Sequence, residues 1–472
     1  MALSANTVWE VRTAGLDTNG GGFVTGGSGS DYSQQDAKNS GGADGSTTDA
    51  VADGTSTITS ATAAFGTTIV GNIIYLQGGS GGLTAGWYEV TARASSSSIT
   101  VDRNVAAGTG ITMNIGGALL TIQKAVDNMA AATSAADQLT WVKSGTYNLT
   151  AAITTTTPSA VLRRNRVYGY DATRGDYPTG SNRPTIKTNG NAINGVETSS
   201  DWHWANFIID GSGASAGLTG WQTSTNFGRI ENCKVTSFAT QGIYVAGGGW
   251  TVRRCEVTDI AANGAIRIDT SLAVSVIDCW VHDNAIHGLV GTGNPIGLTV
   301  VRSIFSNNTG TSDGINTGTG YTITLLNNVC YGNGRDGIRW STSHDIGCNV
   351  RNNVMVDNGG YGLNASVGGF PAASALAFDY NAFYNNTSGA RNVIGAGPND
   401  VTLTADPFTN AAGDDFSLNT TAGGGAALRA EGYPGVFPGG ATTGYLDIGA
   451  AQHADPAGGG APRSAGMSGG IF

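Results

Sequence analysis

Charged side chains are scarce in this sequence, since Asp, Glu, Lys and Arg make up 12% of its 472 residues. The net charge is −10, with 24 basic residues against 34 acidic ones. A surface that binds phosphates needs clustered Lys and Arg, so we expect no nucleic-acid partner. Proline is rare, with 11 residues, whereas glycine is abundant, with 74. This composition is typical of many short strands that are joined by tight turns.

Several other features are missing. No apolar run approaches the roughly 18 residues of a membrane span, so we expect no membrane partner. The first six residues show no basic stretch followed by an apolar run, and we therefore expect no secretory signal. The five cysteines are an odd number in mid-chain, which does not predict a disulfide framework. No zinc-ligand spacing or phosphate loop is present, so we expect neither a metal nor a cofactor.

What the sequence does have is an internal repeat of about 24 residues. One position of the repeat, which we call the core slot, recurs at intervals of 22, 24, 24, 25, 25 and 28 residues. It is occupied by Cys233, Cys255, Cys279, Ser303, Asn328, Asn353 and Asn381. A glycine follows each of the first six slots after 9 or 11 residues. Side chains alternate around the slot as in half-buried strands. Coils of this length that stack on one another predict a parallel β-helix, with a small-residue stack that becomes an Asn ladder inside it.

The residues before the repeat predict a cap for the open end of this solenoid. Leu119, Ile122, Val126 and Met129 share one face of a short helix, and Thr121 is its candidate N-cap. A strand ending in the Gly-Thr-Tyr of residues 145–147 follows. These motifs, with the Asn-rich turns and Gly-Ile markers, resemble the right-handed parallel β-helix superfamily, also called pectin-lyase-like, over about residues 118–400. The resemblance implies an all-β fold, a right-handed parallel β-helix solenoid with an N-terminal capping helix.

The start of the chain has a different character. Residues 72–76, 86–91 and 98–102 predict antiparallel strands of a small β domain. The expected organisation is an N-terminal attachment domain at 1–117, capping helix and first coil at 118–150, parallel β-helix at 151–400, C-terminal closing segment at 401–452 and Gly-rich tail at 453–472.

The opening, from residues 6–12 to residues 32–36, resembles the N-termini of virion structural proteins of tailed bacteriophages. This resemblance implies a head decoration, a fibre or a tail spike that is made in the host cytoplasm and located in the virion. It further implies a homotrimer that contacts other virion proteins, in the capsid or the tail, through a terminal region. A host surface glycan is a further candidate partner.

Candidate catalytic groups are few. Asp259 and Asp283 each lie four residues after a core slot, so stacking predicts a separation of roughly 5 Å, as in a retaining glycosidase pair. His287 precedes one of the marker glycines, and its Ile-His-Gly matches the last two letters of the Gly-His-Gly found in hydrolases of the superfamily. Asp in a turn commonly bonds backbone N–H groups instead. We favour this structural role and assign no catalytic residue.

The position after the core slot predicts a row on the outside of the solenoid. It reads Lys234, Glu256, Trp280, Ile304, Val329, Val354 and Ala382, and its last five members are apolar. An exposed apolar row usually marks an interface. We therefore expect Trp280, Ile304, Val329 and Val354 to contact another subunit, and the alternative is that the chain covers the row itself.

These observations favour a non-enzymatic bacteriophage virion protein that presents a β-helix rod. One alternative is a tailspike depolymerase, a glycosidase or lyase that cleaves host surface polysaccharide. A bacterial surface adhesin is the third hypothesis, because residues 406–408, 415–418 and 446–450 are similar to the closing segment of such proteins.

Overall fold

The computed structural model describes residues 3, 5–38, 46–132, 137–157, 165–270, 272–292, 297–318, 322–341, 347–365, 376–433 and 446–453. They form two compact units. The first contains Met1–Leu149, Ile153–Lys187 and Glu197–Ile208, and the second contains Thr150–Ala152, Thr188–Val196 and Ile209–Phe472. The Gly-rich tail expected at 453–472 lies outside the described residues, apart from residue 453. In the part of the chain that is described, no helix is long and apolar enough to cross a membrane.

A closed antiparallel barrel forms the centre of the first unit. Its strands are Thr47–Ala52, Thr57–Thr59, Ile73–Gln77, Gly86–Ser95, Ser98–Val101 and Gly108–Ile115. Alternate residues of these strands point inward, and Ile58, Leu76 and Val90 are completely buried. The small antiparallel β domain that the sequence predicted near the N-terminus is therefore confirmed.

The first residues of the chain lie outside this barrel. Thr7–Val11 pairs antiparallel with Gly22–Val24 and parallel with Gln138–Lys143. The parallel sheet continues through Asn165–Tyr170 to Trp202–Ala205. A second parallel pair joins Thr146–Asn148 to Thr185–Lys187. The barrel thus occupies less of the chain than the expected 1–117 domain, because the N-terminal strand contributes to the sheet of the first coils.

The described residues contain one α-helix, Ile122–Ala131. The Thr121 hydroxyl accepts a hydrogen bond from the Lys124 backbone N–H at 3.2 Å, as an N-cap does. The apolar face, with Ile122, Val126 and Met129, is buried. This face packs on the strands Thr7–Val11 and Gln138–Lys143. Single turns of 3₁₀ helix are found at Tyr32–Gln34, Gly180–Asn182, Ala411–Gly413 and Gly425–Ala427.

The second unit is a parallel β-solenoid, which confirms the fold predicted from the repeat. Each coil contributes one strand to each of three parallel sheets. The first sheet contains Gly228–Glu231, Trp250–Arg253, Val274–Ile277, Leu298–Val301, Ile323–Leu326, Cys348–Arg351 and Leu376–Asp379. The second sheet contains Lys234–Thr236, Glu256–Thr258, Trp280–His282, Ile304–Ser306, Val329–Tyr331, Val354–Val356, Ala382–Tyr384 and Val401–Thr402. The third sheet contains Gly217–Thr223, Phe238–Val245, Ile266–Ile268, Leu289–Gly291, Ile315–Thr317, Ile338–Trp340, Tyr361–Ala365 and Gly389–Asn392.

The remaining strands are short. Ile153–Thr154, Val196–Thr198 and Ile208–Asp210 precede these coils along the chain. After the last coil, Phe408–Asn410 and Asp415–Leu418 form an antiparallel pair.

A sharp turn precedes the core slot in each coil of the second unit. The residue before the slot has a left-handed backbone, with φ between 50° and 59°, at Asn232, Arg254, Asp278, Arg302, Asn327, Asn352 and Tyr380. Asn and Asp tolerate this conformation, whereas Arg adopts it rarely. The turn directs the slot side chain inward, and every core-slot residue is at most 2% exposed.

Two ladders of asparagines connect the coils, and all of their members except the partly exposed Asn386 are buried. In the core slot, Asn328 donates from Nδ2 to Oδ1 of Asn353 at 3.0 Å, and Asn353 donates to Asn381 at the same distance. A second ladder lies between the second and third sheets. It contains Asn284, Asn308, Asn333, Asn358 and Asn386, whose amides are joined at 2.8 to 2.9 Å. These bonds satisfy side chains that would be costly to bury unpaired.

Candidate functional site

The three weak catalytic candidates lie in two neighbouring coils of the solenoid. Asp259 belongs to the first of them, and Asp283 and His287 belong to the second. Asp259 and Asp283 follow strands of the second sheet and have left-handed backbones, with φ of 56° and 51°. Asp259 accepts a hydrogen bond from the Thr236 hydroxyl at 3.1 Å, and Asp283 lies 2.7 Å from Nδ1 of His282. His287 lies further along its coil, beside the third sheet. The structure therefore places Asp283 against a different histidine from the one that sequence reasoning selected.

The apolar outer row is covered by the chain itself. Ile304, Val329, Val354 and Ala382 are at most 7% exposed and form one hydrophobic cluster with side chains of the C-terminal closing segment. Trp280 packs against the edge of this cluster. The members that the closing segment contributes are Leu403, Phe408, Ala411, Phe416, Leu418, Leu428, Ile448 and Ala450.

Hydrogen bonds also hold the closing segment, and they come from the turns that precede the second-sheet strands. The Gly449 N–H donates to the Asn352 carbonyl at 2.8 Å, and the Asn327 amide donates to the carbonyls of Asp447 and Gly449 at 3.4 and 3.3 Å. The exposure from which we inferred a subunit interface is thus absent. Of the two alternatives, intrachain cover is the one that the structure shows, because the row and its cover belong to one chain.

Lys234, Glu256 and His282 form an ionic cluster on the second sheet, next to Trp280, the first apolar member of the outer row. Nζ of Lys234 lies 2.6 Å from Oε1 of Glu256, and Nε2 of His282 lies 3.6 Å from the same oxygen. The His282 ring stacks on Trp280 with a centroid distance of 3.6 Å. Burial alone would lower the pKa of His282, but its contacts with Glu256 and Asp283 outweigh burial and raise it. Burial would likewise raise the pKa of Glu256, and the bonds to His282 and Lys234 lower it instead.

The outer face of the third sheet carries a second row, which we call the third-sheet row. Strand register aligns its members from coil to coil as Tyr244, Arg267, Val290, Asn316, Arg339, Asn364 and Asn392. All but one of these side chains can donate a hydrogen bond. Tyr244, Arg267, Val290, Arg339 and Asn392 are partly exposed. This face of the solenoid is therefore polar and accessible, in contrast to the apolar row of the second sheet.

Two buried carboxylates support the third-sheet row. Asp313 is completely buried and accepts from Nε of Arg335 at 2.7 Å, from Nδ2 of Asn316 at 2.9 Å and from the Asp336 backbone N–H at 3.1 Å. Its bond to Arg335 raises the pKa of that guanidinium. This carboxylate thus fixes both an arginine and a member of the row.

Asp336 has the equivalent place in the next coil. It accepts from Nδ2 of Asn364 at 2.6 Å, from Nη1 of Arg339 at 3.0 Å and from the Tyr361 backbone N–H at 2.7 Å. The oxygens of both carboxylates therefore already accept hydrogen bonds from neighbouring protein donors. A general acid or base needs a carboxylate that reaches the substrate, so this arrangement favours binding over acid–base catalysis.

His287 belongs to the same supporting layer. Its Nδ1 accepts the Asp313 backbone N–H at 2.9 Å, which leaves the proton of a neutral ring on Nε2. Burial lowers the pKa of His287, and the nearby Arg335 and Arg339 lower it further against the opposing charge of Asp313. His287 is consequently a neutral hydrogen-bonding group at pH 7. Within the described residues, no group of three or more His, Cys, Asp or Glu side chains could hold a metal ion.

The sequence contained a signal for this layer that we did not use. His287, Asp313 and Asp336 each directly precede a marker glycine, so they share one position of the repeat. The second Asn ladder has an equally regular signal, because each of its members lies five residues after a core slot. The predicted core ladder and the predicted interface came from the core slot and its outward neighbour, which lie where the second-sheet strands begin.

Comparisons with known proteins agree with this architecture. Residues 216–406 match the family model described as "Right handed beta helix region". A search of curated proteins found no match. Among solved structures, pectate lyase Pel9A is similar, with 15% identity, a TM-score of 0.56 and coverage of 71% of this chain and 92% of that chain. This likeness shows the fold.

Two further structures have TM-scores too low to carry an argument. The A-module of the mannuronan C-5 epimerase AlgE6 from Azotobacter vinelandii has 13% identity and a TM-score of 0.35, with coverage of 60% of this chain and 95% of that chain. ORF18 of Geobacillus virus E2 has 12% identity and a TM-score of 0.32, with coverage of 57% and 55%. The resemblance to phage virion proteins thus gains no support. The family model thus identifies a right-handed β-helix region at residues 216–406, and the likeness to the pectate lyase shows the same fold.

Proposed function

We propose that the protein binds a polysaccharide along the third-sheet row. The observation that carries this proposal is a row of donors aligned by strand register, four of which, Tyr244, Arg267, Arg339 and Asn392, are partly exposed. Buried carboxylates hold three members of the row, Asn316, Arg339 and Asn364. Guanidinium and amide groups pair with hydroxyl and carboxylate oxygens of sugars. Donors that are already fixed lose little entropy when a ligand binds.

The regular spacing of the row also favours a polymer. Neighbouring strands of a sheet lie ~4.8 Å apart, which is close to the length of one pyranose unit. An extended glycan chain that runs along the row can therefore meet one position of the row with each of its sugar units. The similar pectate lyase is named as an enzyme that acts on a polysaccharide, and this supports the proposed ligand class.

We propose binding without cleavage. Asp313 and Asp336 are engaged by arginine, amide and backbone donors, and Asp259 and Asp283 lie on the second sheet side of the coil. A depolymerase remains the alternative, with Asp283 as its candidate residue. The two proposals differ in a product assay, because only cleavage generates new chain ends.

Display on a virion is a separate proposal. It rests on the N-terminal sequence alone, which resembles phage virion proteins, and it includes a homotrimer attached through a terminal region to capsid or tail proteins. Light scattering of the full chain tests the trimer. A monomer in solution and on purified particles would contradict it.

The binding proposal is tested by titrating the full chain with polygalacturonate and with a neutral glucan, in a calorimeter. Arg339→Ala should weaken binding about tenfold, because it removes a charged donor of the row. The control is Arg229→Ala, which removes an ion-paired arginine of the first sheet, 2.7 Å from Glu231, and should leave affinity unchanged. If neither polymer binds, or if both variants weaken binding equally, the proposal is wrong. A rise in reducing ends during incubation would favour the depolymerase.

A further inference from the structure

An aromatic patch on the first unit forms a second surface with a distinct chemistry. Trp141 and Tyr168 are paired in register on neighbouring strands, and His203 lies on the next strand. All three side chains are partly exposed on the outer face of the sheet. We define the aromatic patch as Trp141, Tyr168 and His203.

The rings of the patch contact one another in a continuous series. The ring centroids of Trp141 and Tyr168 are 5.6 Å apart with an interplanar angle of 67°, and those of Tyr168 and His203 are 5.0 Å apart at 78°. The Tyr168 hydroxyl lies 2.8 Å from Nδ1 of His203, within hydrogen-bond distance. These contacts fix the rings before any ligand arrives, so the ordering cost of binding is low.

Most tryptophans of this protein have a plain structural role. Trp9, Trp202, Trp204, Trp221, Trp250 and Trp340 are at most 1% exposed. Trp141 differs because it stands on the outside of a sheet, although an indole in the core would stabilise the fold more. A Cβ atom added at Gly175 would lie 4.0 Å from Cη2 of Trp141, so this residue approaches the indole rim and, as a glycine, places no side chain over it.

Polar groups border the aromatic surface. Arg166 stands in register between Leu139 and His203, and its guanidinium pairs with Asp137 at 3.3 Å, where both side chains are more than a third exposed. The patch thus combines apolar ring faces with a hydroxyl, an imidazole and a solvated ion pair. A pyranose ring has the matching chemistry, because its C–H face is apolar and its rim carries hydroxyl groups. Binding sites for such ligands combine aromatic walls with a few placed polar groups.

We propose that the aromatic patch is a glycan-stacking subsite, in which a pyranose ring stacks on Trp141 and its hydroxyls bond to Tyr168 and His203. This inference rests on the proposed function, because it adds a subsite for the same class of ligand. The residues of the patch belong to the first unit and those of the third-sheet row to the second, so the two surfaces can be mutated separately.

Tryptophan fluorescence of the full chain, titrated with galacturonate and glucose hexamers, tests the subsite. A bound sugar should perturb Trp141, and Trp141→Ala should weaken binding about tenfold and abolish most of the fluorescence change. Trp141→Phe keeps a ring against Tyr168 and should retain part of the affinity. The matched control is Trp87→Phe, a partly exposed tryptophan of the barrel, which should bind as the wild type does.

The outcomes separate the two proposals. If Trp141→Ala and Trp141→Phe bind both hexamers like the wild type while Arg339→Ala binds weakly, the stacking subsite is wrong and the third-sheet proposal stands. If Trp141→Ala binds weakly and Arg339→Ala normally, the subsite is supported and the third-sheet proposal is wrong. If neither hexamer binds to the wild type, the stacking subsite is wrong, and the titration with the two polymers decides the third-sheet proposal. Circular dichroism of each variant checks that the fold is retained.

Discussion

The outer faces of the second and third sheets belong to the same coils but have opposite surroundings. From Ile304 to Ala382 the second sheet presents apolar side chains, and the closing segment buries them. The third sheet presents Arg, Asn and Tyr, and most of these side chains reach solvent. Both sheets are parallel, and each receives one strand from each coil. The difference shows that side-chain chemistry decides which face of a solenoid is covered and which is left open to a ligand.

Removal of the closing segment from the second sheet should have the largest effect on the stability and solubility of the protein. Deletion of residues 401–472 would expose the apolar row together with the last strand edge, so we expect the shortened chain to aggregate. Burial of each large apolar side chain contributes about 1.5–3 kcal/mol, and the closing segment buries two phenylalanines, Phe408 and Phe416, among others. Size-exclusion chromatography of both lengths measures the effect. A shortened chain that stays monomeric and folded would show that the cover is dispensable.

A matched pair of valines sharpens the comparison. Val329 is 1% exposed on the second sheet, whereas Val290 holds the equivalent outward position on the third sheet and is partly exposed. We expect Val329→Lys to lower the free energy of unfolding by about 3 kcal/mol or more, because it buries a charge without a partner. Val290→Lys should change it by about 0.5 kcal/mol or less. Urea unfolding of both variants gives the two values, and equal losses would contradict the assignment of covered and open faces.

The third-sheet row depends on a buried carboxylate, Asp313, which holds two donors in place. Asp313→Asn keeps the shape of the side chain but removes the charge that holds Arg335 and Asn316. We expect a loss of about 2 kcal/mol in the free energy of unfolding and weaker polysaccharide binding. The control is Glu231→Gln on the first sheet, since Glu231 pairs with Arg229 at 2.7 Å outside the third-sheet row. A stable Asp313→Asn variant with unchanged affinity would show that the carboxylate does not organise the row.

The smallest expected effect is the pH dependence of the folding stability that His282 and Glu256 cause. Both residues lie on the second sheet, beside Trp280. The folded-state pKa of His282 is raised above its ordinary 6.5, so the stability from its contacts is complete below that value and is lost as pH rises through the folded pKa. The pKa of Glu256 is lowered from 4.5, so its stability contribution is present above 4.5 and is lost as pH falls through the folded value. His282→Gln should remove the loss on the alkaline side. Thermal unfolding of both proteins from pH 4 to 9 measures it, and identical profiles would exclude the linkage.

The fold was more accessible to sequence reasoning than the site. The spacing of Cys233, Cys255 and Cys279 predicted the coils, because each coil must return its strand to the same register to bury a small side chain. The apolar row from Trp280 to Val354 was also readable. The segment that covers this row was not readable, because its residues come from distant positions in the chain. Asn327, for example, bonds to Asp447, 120 positions later.

Chain topology explains which site residues were found and which were missed. Asp283 stood out as a carboxylate at a repeated position, yet it pairs with the adjacent His282. Asp313 was overlooked because its importance comes from burial and from donors contributed by two other positions, Asn316 and Arg335. Burial of a charged group depends on the packing of several coils, and no single repeat encodes it.

By itself the sequence determined the period of the solenoid, the inward-facing slot and the apolar outer row beside it, because these follow from the repeat and from the alternation of side chains along a strand. The tertiary structure decided which row is covered by the closing segment, which carboxylates are buried, and that Trp141, Tyr168 and His203 meet on one face. Local alternation is a property of a few consecutive residues. Contacts between coils and with the closing segment join residues far apart in the chain, and they form only when the whole solenoid has folded.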